Sequence, residues 1–463
     1  MDLKLIHKVY LIGIGGIGMS ALARYFKSLG KVVAGYDKTT SSITEQLQKE
    51  GIFIHFSEQL DELPDGLKPD INDTLVIYTP AIPKSHLGIK ALINSNFKLY
   101  KRAEILGLIT NQYKTIAVAG THGKTSVSTT TAHLLHQSNI GCLAFLGGIS
   151  KNYQTNLILP YDINNKGTFA VVEADEFDRS FLQLSPSIAL ITAIDADHLD
   201  IYENKENIVY SFNQFVKKIE PKGTIIYKKG LTLLPENLPE NSFSYALSEP
   251  ADFYAINQKI SNIGLYSFDL ITPKGIIKNL ESGVPGKVNA ENSVAAVSLA
   301  YIAGLDEDTI RKNLKSFKGV VRRFDFQINS AQLVYVDDYA HHPEELKAFI
   351  GSIKEIFPAK KITGIFQPHL YSRTRDFADE FAESLNQLDE LILLDIYPAR
   401  EEPIEGVSSK IIFDNVKIEN KELASLENLI STLKKKDIEV LLTMGAGNID
   451  TIKEEIIKLY SSS

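Results

Sequence analysis

The sequence predicts an α/β protein of three domains, and three observations carry that prediction. A chain of 463 residues has room for three domains of roughly 150 residues each. Two short apolar strands, Lys8 to Ile12 and Ile116 to Ala119, each run into a glycine-rich turn and then a helix. The C-terminal part carries four strands in succession: Leu333 to Val336, Ile362 to Phe366, Leu391 to Ile396 and Val440 to Met444. Each ends in a polar or glycine-rich cluster, and open α/β sheets bind ligands at that end of their strands. The expected division is 1–109, a Rossmann-like domain; 110–316, a central domain of phosphate-loop type with a mostly parallel sheet; and 317–463, a second Rossmann-like α/β domain.

In the first domain the opening strand leads into Gly13-Ile14-Gly15-Gly16-Ile17-Gly18 and a helix from about Met19 to Leu29. The next strand, Val32 to Tyr36, ends at Asp37. Glycines at a helix start with an acid about 20 residues on form a dinucleotide fingerprint. The pattern places a diphosphate on the helix end and a hydroxylated sugar near Asp37. A nucleotide-sugar satisfies this as well as NAD does, and a plain βα unit with glycines for packing has the same letters. Strand Thr74 to Tyr78 then stops at the proline-rich Thr79 to Pro83.

The centre of the chain is organised around Gly120-Thr121-His122-Gly123-Lys124-Thr125-Ser126, between an apolar strand and a Thr- and Ala-rich helix. Backbone N–H groups and the helix N-terminus attract phosphate, lysine adds a point charge, and the Thr125 hydroxyl suits Mg²⁺. The usual loop has its first glycine where Val118 stands. Two further strands end in acids. The first runs from Thr168 into Glu173-Ala174-Asp175-Glu176. The second, Ile188 to Ile194, runs into Asp195-Ala196-Asp197-His198-Leu199-Asp200. A strand-tip acid beside a phosphate loop is a usual Mg²⁺ holder; ordinary solvated strand ends are the alternative. A histidine ligand among aspartates suggests a second, softer metal site or tolerance of Mn²⁺, against a purely structural His198. The stretch 222–278 is expected to be mixed α/β. Asn289 and Asn292 stand at the start of an expected helix, Ser293 to Ala303, where they either cap it or meet a base or ribose.

In the third domain Arg322-Arg323-Phe324-Asp325 precedes a strand that ends in Asp337-Asp338-Tyr339-Ala340-His341-His342-Pro343, with a helix from Pro343. Later strand ends carry Gln367-Pro368-His369-Leu370-Tyr371-Ser372-Arg373-Thr374-Arg375, then Tyr397 to Glu401, then Gly445-Ala446-Gly447-Asn448.

Composition narrows the class. Hydrophobic content of 44% and charged content of 23% are those of a globular protein. The net charge of −8, without a dense basic stripe, disfavours nucleic acid. One cysteine, Cys142, rules out an intrachain disulfide and a multi-cysteine metal site. The first residues run straight into a strand, and no apolar run reaches the ~20 residues needed for a bilayer. A cytoplasmic protein without membrane insertion is expected, as a monomer or weak homo-oligomer.

The segments GTHGKT, EADEFD (Glu173 to Asp178), DADHLD (Asp195 to Asp200), RRFD, DDYAHHP, FQPHLYSRT (Phe366 to Thr374), DIYPARE (Asp395 to Glu401) and GAGN resemble the ATP-dependent Mur ligases of peptidoglycan synthesis, most closely their alanine-adding branch. The resemblance covers nearly the whole chain. It implies a UDP-sugar-binding first domain, an ATP-binding second domain and a third that swings in to complete the site. It implies that L-alanine is ligated to the lactyl carboxylate of UDP-N-acetylmuramate through an acyl phosphate. In that scheme Lys124 neutralises the ATP phosphates, Thr125 and Glu173 hold one Mg²⁺, and His198 helps hold a second ion. Asn292 contacts ATP, and Arg323 approaches the phosphates. Gly15, Gly16, Ile17, Gly18, Asp37 and His55 line the UDP moiety, and Tyr339, His341, His369 and Arg373 form the amino-acid pocket. The sequence departs from the family pattern in three places: Val288 where a histidine is usual, Leu370 where an arginine is common, and Thr79-Pro80 where a serine pair is usual. No lysine stands in Ser211 to Phe215, as expected for the alanine-adding branch.

Overall fold

The computed structural model describes residues 3–83, 85–162, 167–195, 202, 204–399 and 401–461. The chain forms two compact units. The first is Met1–Ala255 with Leu270–Ile277 and Ser293–Ser316; the second is Ile256–Asp269 and Lys278–Asn292 with Phe317–Ser463.

The N-terminal sheet is all parallel, in the order β3-β2-β1-β4-β5. Its strands are β1 (Lys8–Ile12), β2 (Val32–Tyr36), β3 (Phe53–His55), β4 (Thr74–Tyr78) and β5 (Leu99–Lys101). A parallel sheet is covered on both faces, which is why its strands read as unbroken apolar runs. Helix α1 (Ile17–Ser28) follows the first glycine turn, and α2 (Arg102–Thr110) leads out of β5.

The second sheet has ten strands in the order β15-β14-β13-β12-β11-β10-β6-β9-β7-β8. These are β6 (Lys114–Ala119), β7 (Cys142–Ser150), β8 (Thr155–Ile158), β9 (Phe169–Ala174), β10 (Ile188–Ile191), β11 (Thr224–Lys228), β12 (Asn241–Ala246), β13 (Phe253–Ile260), β14 (Tyr266–Thr272) and β15 (Gly275–Glu281). In the central part Ala119 of β6 pairs in register with Ala174 of β9 and with Ile191 of β10. The three segments that leave these strands therefore emerge side by side.

Helix α3 (Lys124–His136) is buried along most of its length although it is rich in Ser and Thr. The hydroxyls of Thr129, Thr130 and Thr131 donate to the carbonyls of Thr125, Ser126 and Val127 at 2.7, 2.7 and 2.8 Å. Each polar group thus finds its partner one turn back, and the helix can pack beside β6 and β9.

Two later helices are α4 (Lys287–Ile302) and α5 (Glu307–Ser316). The C-terminal sheet has the order β16-β17-β21-β18-β19-β20. Its strands are β16 (Asp325–Asn329), β17 (Val334–Asp338), β18 (Ile362–Phe366), β19 (Glu390–Leu394), β20 (Lys421–Ala424) and β21 (Val440–Met444), with helices α6 (Pro343–Ile356) and α7 (Tyr371–Asp376) after β17 and β18. All its pairings are parallel except β16 with β17.

Several boundaries differ from the sequence-based expectation. The stretch 222–278 holds strands β11 to β14 and the start of β15 and, among the described residues, no α-helix. Its short alternating runs are strands that extend the second sheet, with β11–β12 and β12–β13 paired in parallel. The strand from Ile188 stops at Ile191, because Thr192 turns over the glycine loop: its hydroxyl donates to the carbonyls of Ala119 and His122. The small-residue helix starts at Lys287, so Asn289 and Asn292 lie inside it. The Asn289 side chain donates to Pro285 O at 2.7 Å, which is not an N-cap. Strand β17 runs on through Asp337 and Asp338, which are buried.

A prediction follows from the end of α3. His133 is buried between Tyr153 OH (2.8 Å), Asn313 O (3.1 Å) and Ser316 Oγ (2.9 Å). Burial pushes its pKa down to about 4. The folded pKa lies below the unfolded value of about 6.5, so this stabilisation is present above pH 6.5 and lost as pH falls toward 4. The full swing is about 3 kcal/mol. Asp338, which burial pushes up to about 7, acts with the opposite sign, so the comparison must be made against a variant. The urea midpoint of the parent is expected to fall more steeply between pH 7 and 5 than that of His133→Gln. Parallel curves would refute the assignment.

Candidate functional site

The aligned ends of β6, β9 and β10 bring the glycine loop together with the acidic segment after β9 and with Asp195. Gly120 has φ +133°, and a Cβ there would lie 2.1 Å from Thr192 Oγ1. Only glycine allows the loop to turn under Thr192. Thr121 N donates to Ala193 O at 3.1 Å, and Asp195 N donates to the Thr121 hydroxyl at 3.1 Å. His122 Nε2 stands 3.6 Å from Asp195 Oδ2. The loop is thereby tied to the β10 end along its length. Gly123 precedes α3, and Lys124, Thr125 and Ser126 form its first turn.

Lys124 Nζ donates to Gly120 O at 2.7 Å and to Glu176 Oε1 at 2.8 Å. Burial opposes the lysine charge, but Glu176, Glu173 and Asp175 outweigh it and hold its pKa above the ordinary value. Burial pushes the Glu176 carboxyl up against the pull of Lys124, so Glu176 is the member of the pair that takes a proton as pH falls. The Thr125 hydroxyl donates to Glu173 Oε2 at 2.8 Å. A Cβ on Gly147 of β7 would lie 2.0 Å from Glu173 Oε2, so the bare backbone there makes room for that carboxylate. Glu173 and Asp175 also line a cleft of about 80 Å³ with Gly147, Arg102 and Gly18. Arg102 Nη2 lies 3.0 Å from Asp175 Oδ2.

Thr125 and Glu173 offer a hydroxyl and a carboxylate, the oxygen donors that suit Mg²⁺. Among the described residues no cluster of three His, Cys, Asp or Glu side chains could hold a metal ion. His198 lies outside the described residues.

At the N-terminal glycine turn, Gly15 N donates to Asp37 Oδ2 at 2.7 Å and Lys38 N to Asp37 Oδ1 at 2.8 Å. Asp37 thus shapes the loop itself. Gly16 caps α1, and Ile17 and Gly18 form its first turn. His55 is buried with Nε2 2.7 Å from Tyr10 OH, among the rings of Tyr10 and Tyr36. Burial lowers its pKa.

The C-terminal unit gathers a second cluster. His341 Nδ1 lies 3.0 Å from Tyr339 O and 3.1 Å from Glu345 Oε2. Its ring is 6.1 Å from that of His369, and Arg373 Nη1 is 3.4 Å from His369 Nδ1. The Arg323 guanidinium lies over the Tyr339 ring at 4.8 Å. Arg373 is buried. Asn292 is also buried, within α4.

No sequence motif marks Glu176, Gly147 and Thr192 as site residues. Glu176 stood in the acidic run, but no local signal separates the acid that pairs with Lys124 from its neighbours. Nothing near Gly147 in the sequence links it to Glu173 on the neighbouring strand β9.

Fold and site together define a multidomain α/β protein of the phosphate-loop class. The chain matches the sequence pattern of the Mur ligase family catalytic domain over residues 8–114, the Mur ligase middle domain over 118–300 and the Mur ligase glutamate ligase domain over 322–447. It is 50% identical over 464 residues to the UDP-N-acetylmuramate–L-alanine ligase of Phocaeicola vulgatus, covering 100% of both chains. It is 47% identical over 463 residues to that of Flavobacterium johnsoniae, again covering 100% of both. Among solved structures it superposes on the UDP-N-acetylmuramate–alanine ligase of Thermotoga maritima with a TM-score of 0.82 at 26% identity, covering 98% of this chain and 99% of that one. A murein peptide ligase from Psychrobacter arcticus shares the fold, with a TM-score of 0.72 at 22% identity over 98% of each chain. The chain belongs to the Mur ligase family.

Proposed function

We propose that the protein is an ATP-dependent ligase that joins L-alanine to the lactyl carboxylate of UDP-N-acetylmuramate in peptidoglycan precursor synthesis. The observation that carries the chemistry is the convergence of Lys124, Thr125 and Glu173 on one edge of one sheet, and full-length identity to alanine-adding relatives supports the choice of acceptor. Residues 1–109 bind the UDP-sugar, with Gly15, Gly16, Ile17, Gly18, Asp37 and His55 along it. Residues 110–316 bind ATP through the loop from Gly120 to Ser126, with Asn292 assisting. Residues 317–463 bind the amino acid.

A carboxylate oxygen of the sugar attacks the γ-phosphorus, the bond to ADP breaks, and an acyl phosphate forms. The amine of alanine then attacks the acyl carbon, phosphate leaves, and the amine gives up a proton. Such transfers need chiefly positioning and neutralisation of charge. Lys124 supplies a fixed cation beside the glycine loop. Thr125 and Glu173 would hold Mg²⁺, with Mn²⁺ as an alternative and His198 as a further ligand; the ion offsets phosphate charge when bound. The fit rests on the oxygen donor pair and on the space Gly147 leaves. With its proton on Nδ1, His341 satisfies Tyr339 O and Glu345, and Nε2 is left to accept the proton from the amine. Arg373 and Arg323 suit carboxylate and phosphate. The substrates place the reaction in the cytoplasm. Among the described residues no helix is long and apolar enough to cross a membrane, and a monomer or weak homo-oligomer is sufficient for the scheme.

The test is an acceptor screen with UDP-N-acetylmuramate, ATP and each amino acid, together with a preformed tripeptide. Phosphate release is expected to need the sugar and L-alanine together. Turnover with the sugar alone, unchanged by any acceptor, would refute the ligase reading. Preference for the tripeptide would refute the choice of alanine.

A further inference from the structure

The loop after β19 grips the loop after β18 at four points. Leu370 N donates to Tyr397 O at 3.0 Å, and Tyr397 N donates to Pro368 O at 2.8 Å. The Tyr397 ring stacks on His369 with centroids 5.9 Å apart and planes 18° apart. Both Ser372 N, at 3.0 Å, and the Ser372 hydroxyl donate to the Glu401 carboxylate. Between these anchors Leu370 sits at φ +73°, ψ +136°. That region is costly for a residue with a Cβ, and it persists only where the surroundings over-determine it. His369 and Arg373 flank this turn, and the turn is what sets Arg373 Nη1 3.4 Å from His369 Nδ1 and the His369 ring 6.1 Å from His341.

We propose that Glu401 and Tyr397 are positioning residues that hold the strained Leu370 turn and so aim His369 and Arg373 at the acceptor amino acid. Glu401 touches no reacting atom in this scheme. It acts through Ser372, whose amide opens α7, and a carboxylate is the acceptor best suited to hold both an amide and a hydroxyl there. Tyr397 fixes the plane of the His369 ring. The assignment of the acceptor rests on the function proposed above.

The experiment compares Glu401→Ala, Leu370→Gly and the double variant with the parent. Glu401→Ala is expected to raise the KM for L-alanine about tenfold or more, with the KM values for ATP and UDP-N-acetylmuramate within twofold. Adding Leu370→Gly should recover part of that loss, because glycine takes the turn without being held. A merely structural role would move all three KM values together or lower the urea midpoint without rescue, and either result overturns the proposal. An activity-free readout separates this from failure of the ligase reading. The His369 ring resonances, assigned with His369→Gln, should show the ring-current shift of Tyr397 in the parent. They should lose it in Glu401→Ala and regain part of it in the double variant. Unchanged resonances in Glu401→Ala would overturn the clamp whatever the substrates are.

Discussion

Lys124→Ala is expected to lower turnover about 10³-fold or more while UDP-N-acetylmuramate binding survives. The lysine is the cation of the glycine loop, 2.7 Å from Gly120 O and 2.8 Å from Glu176 Oε1. Its loss also removes the cation beside Glu176, which is buried to 1% exposure. Breaking a buried pair at one end typically costs 3–5 kcal/mol, so part of any effect could be unfolding. The double variant Lys124→Ala with Glu176→Gln separates the two: it should regain much of the urea stability and none of the turnover. Phosphate release and calorimetric titration of the sugar nucleotide measure both sides. Sugar binding lost together with the lysine would contradict the assignment of the first domain.

Gly147→Ala is the second large effect. The new methyl would meet Glu173 Oε2 at 2.0 Å, closer than any non-bonded contact allows. Glu173 must then leave the Thr125 hydroxyl, or β7 must shift. A displacement of about 1 Å at a reacting centre costs on the order of 10² in rate. The expected result is about a 10²-fold loss of turnover with a raised Mg²⁺ requirement and a near-native circular dichroism spectrum. Turnover within threefold of the parent, in a variant whose crystal structure shows Glu173 moved off the Thr125 hydroxyl, would show that Glu173 is not the ion's holder.

Much of the fold was legible because parallel strands buried on both faces must be apolar throughout. Strands β1, β2, β4, β18 and β21 begin and end where the sequence places them. Errors fell where a strand end is decided by a distant partner. Thr192 leaves β10 early because it bonds to Ala119 and His122, 70 or more positions away. Asp337 and Asp338 look like a loop but stay in β17, paired in register with Thr443 and Met444 of β21. Residues 222–278 depart from the mixed α/β expectation because short alternating runs do not reveal which strands they join.

The candidate site divides the same way. Gly120, Lys124, Thr125 and Glu173 could be read from the chain, because a phosphate loop and a strand-tip acid are local patterns. Residue types and their order thus determined the fold class and the candidate groups at the glycine loop. Only the tertiary structure decided which acid meets Lys124, that Gly147 clears a place for Glu173, and that the loop carrying Tyr397 and Glu401 sets His369 and Arg373. The reason is physical: a local pattern fixes what a side chain can do, but the register of neighbouring strands fixes what it can reach.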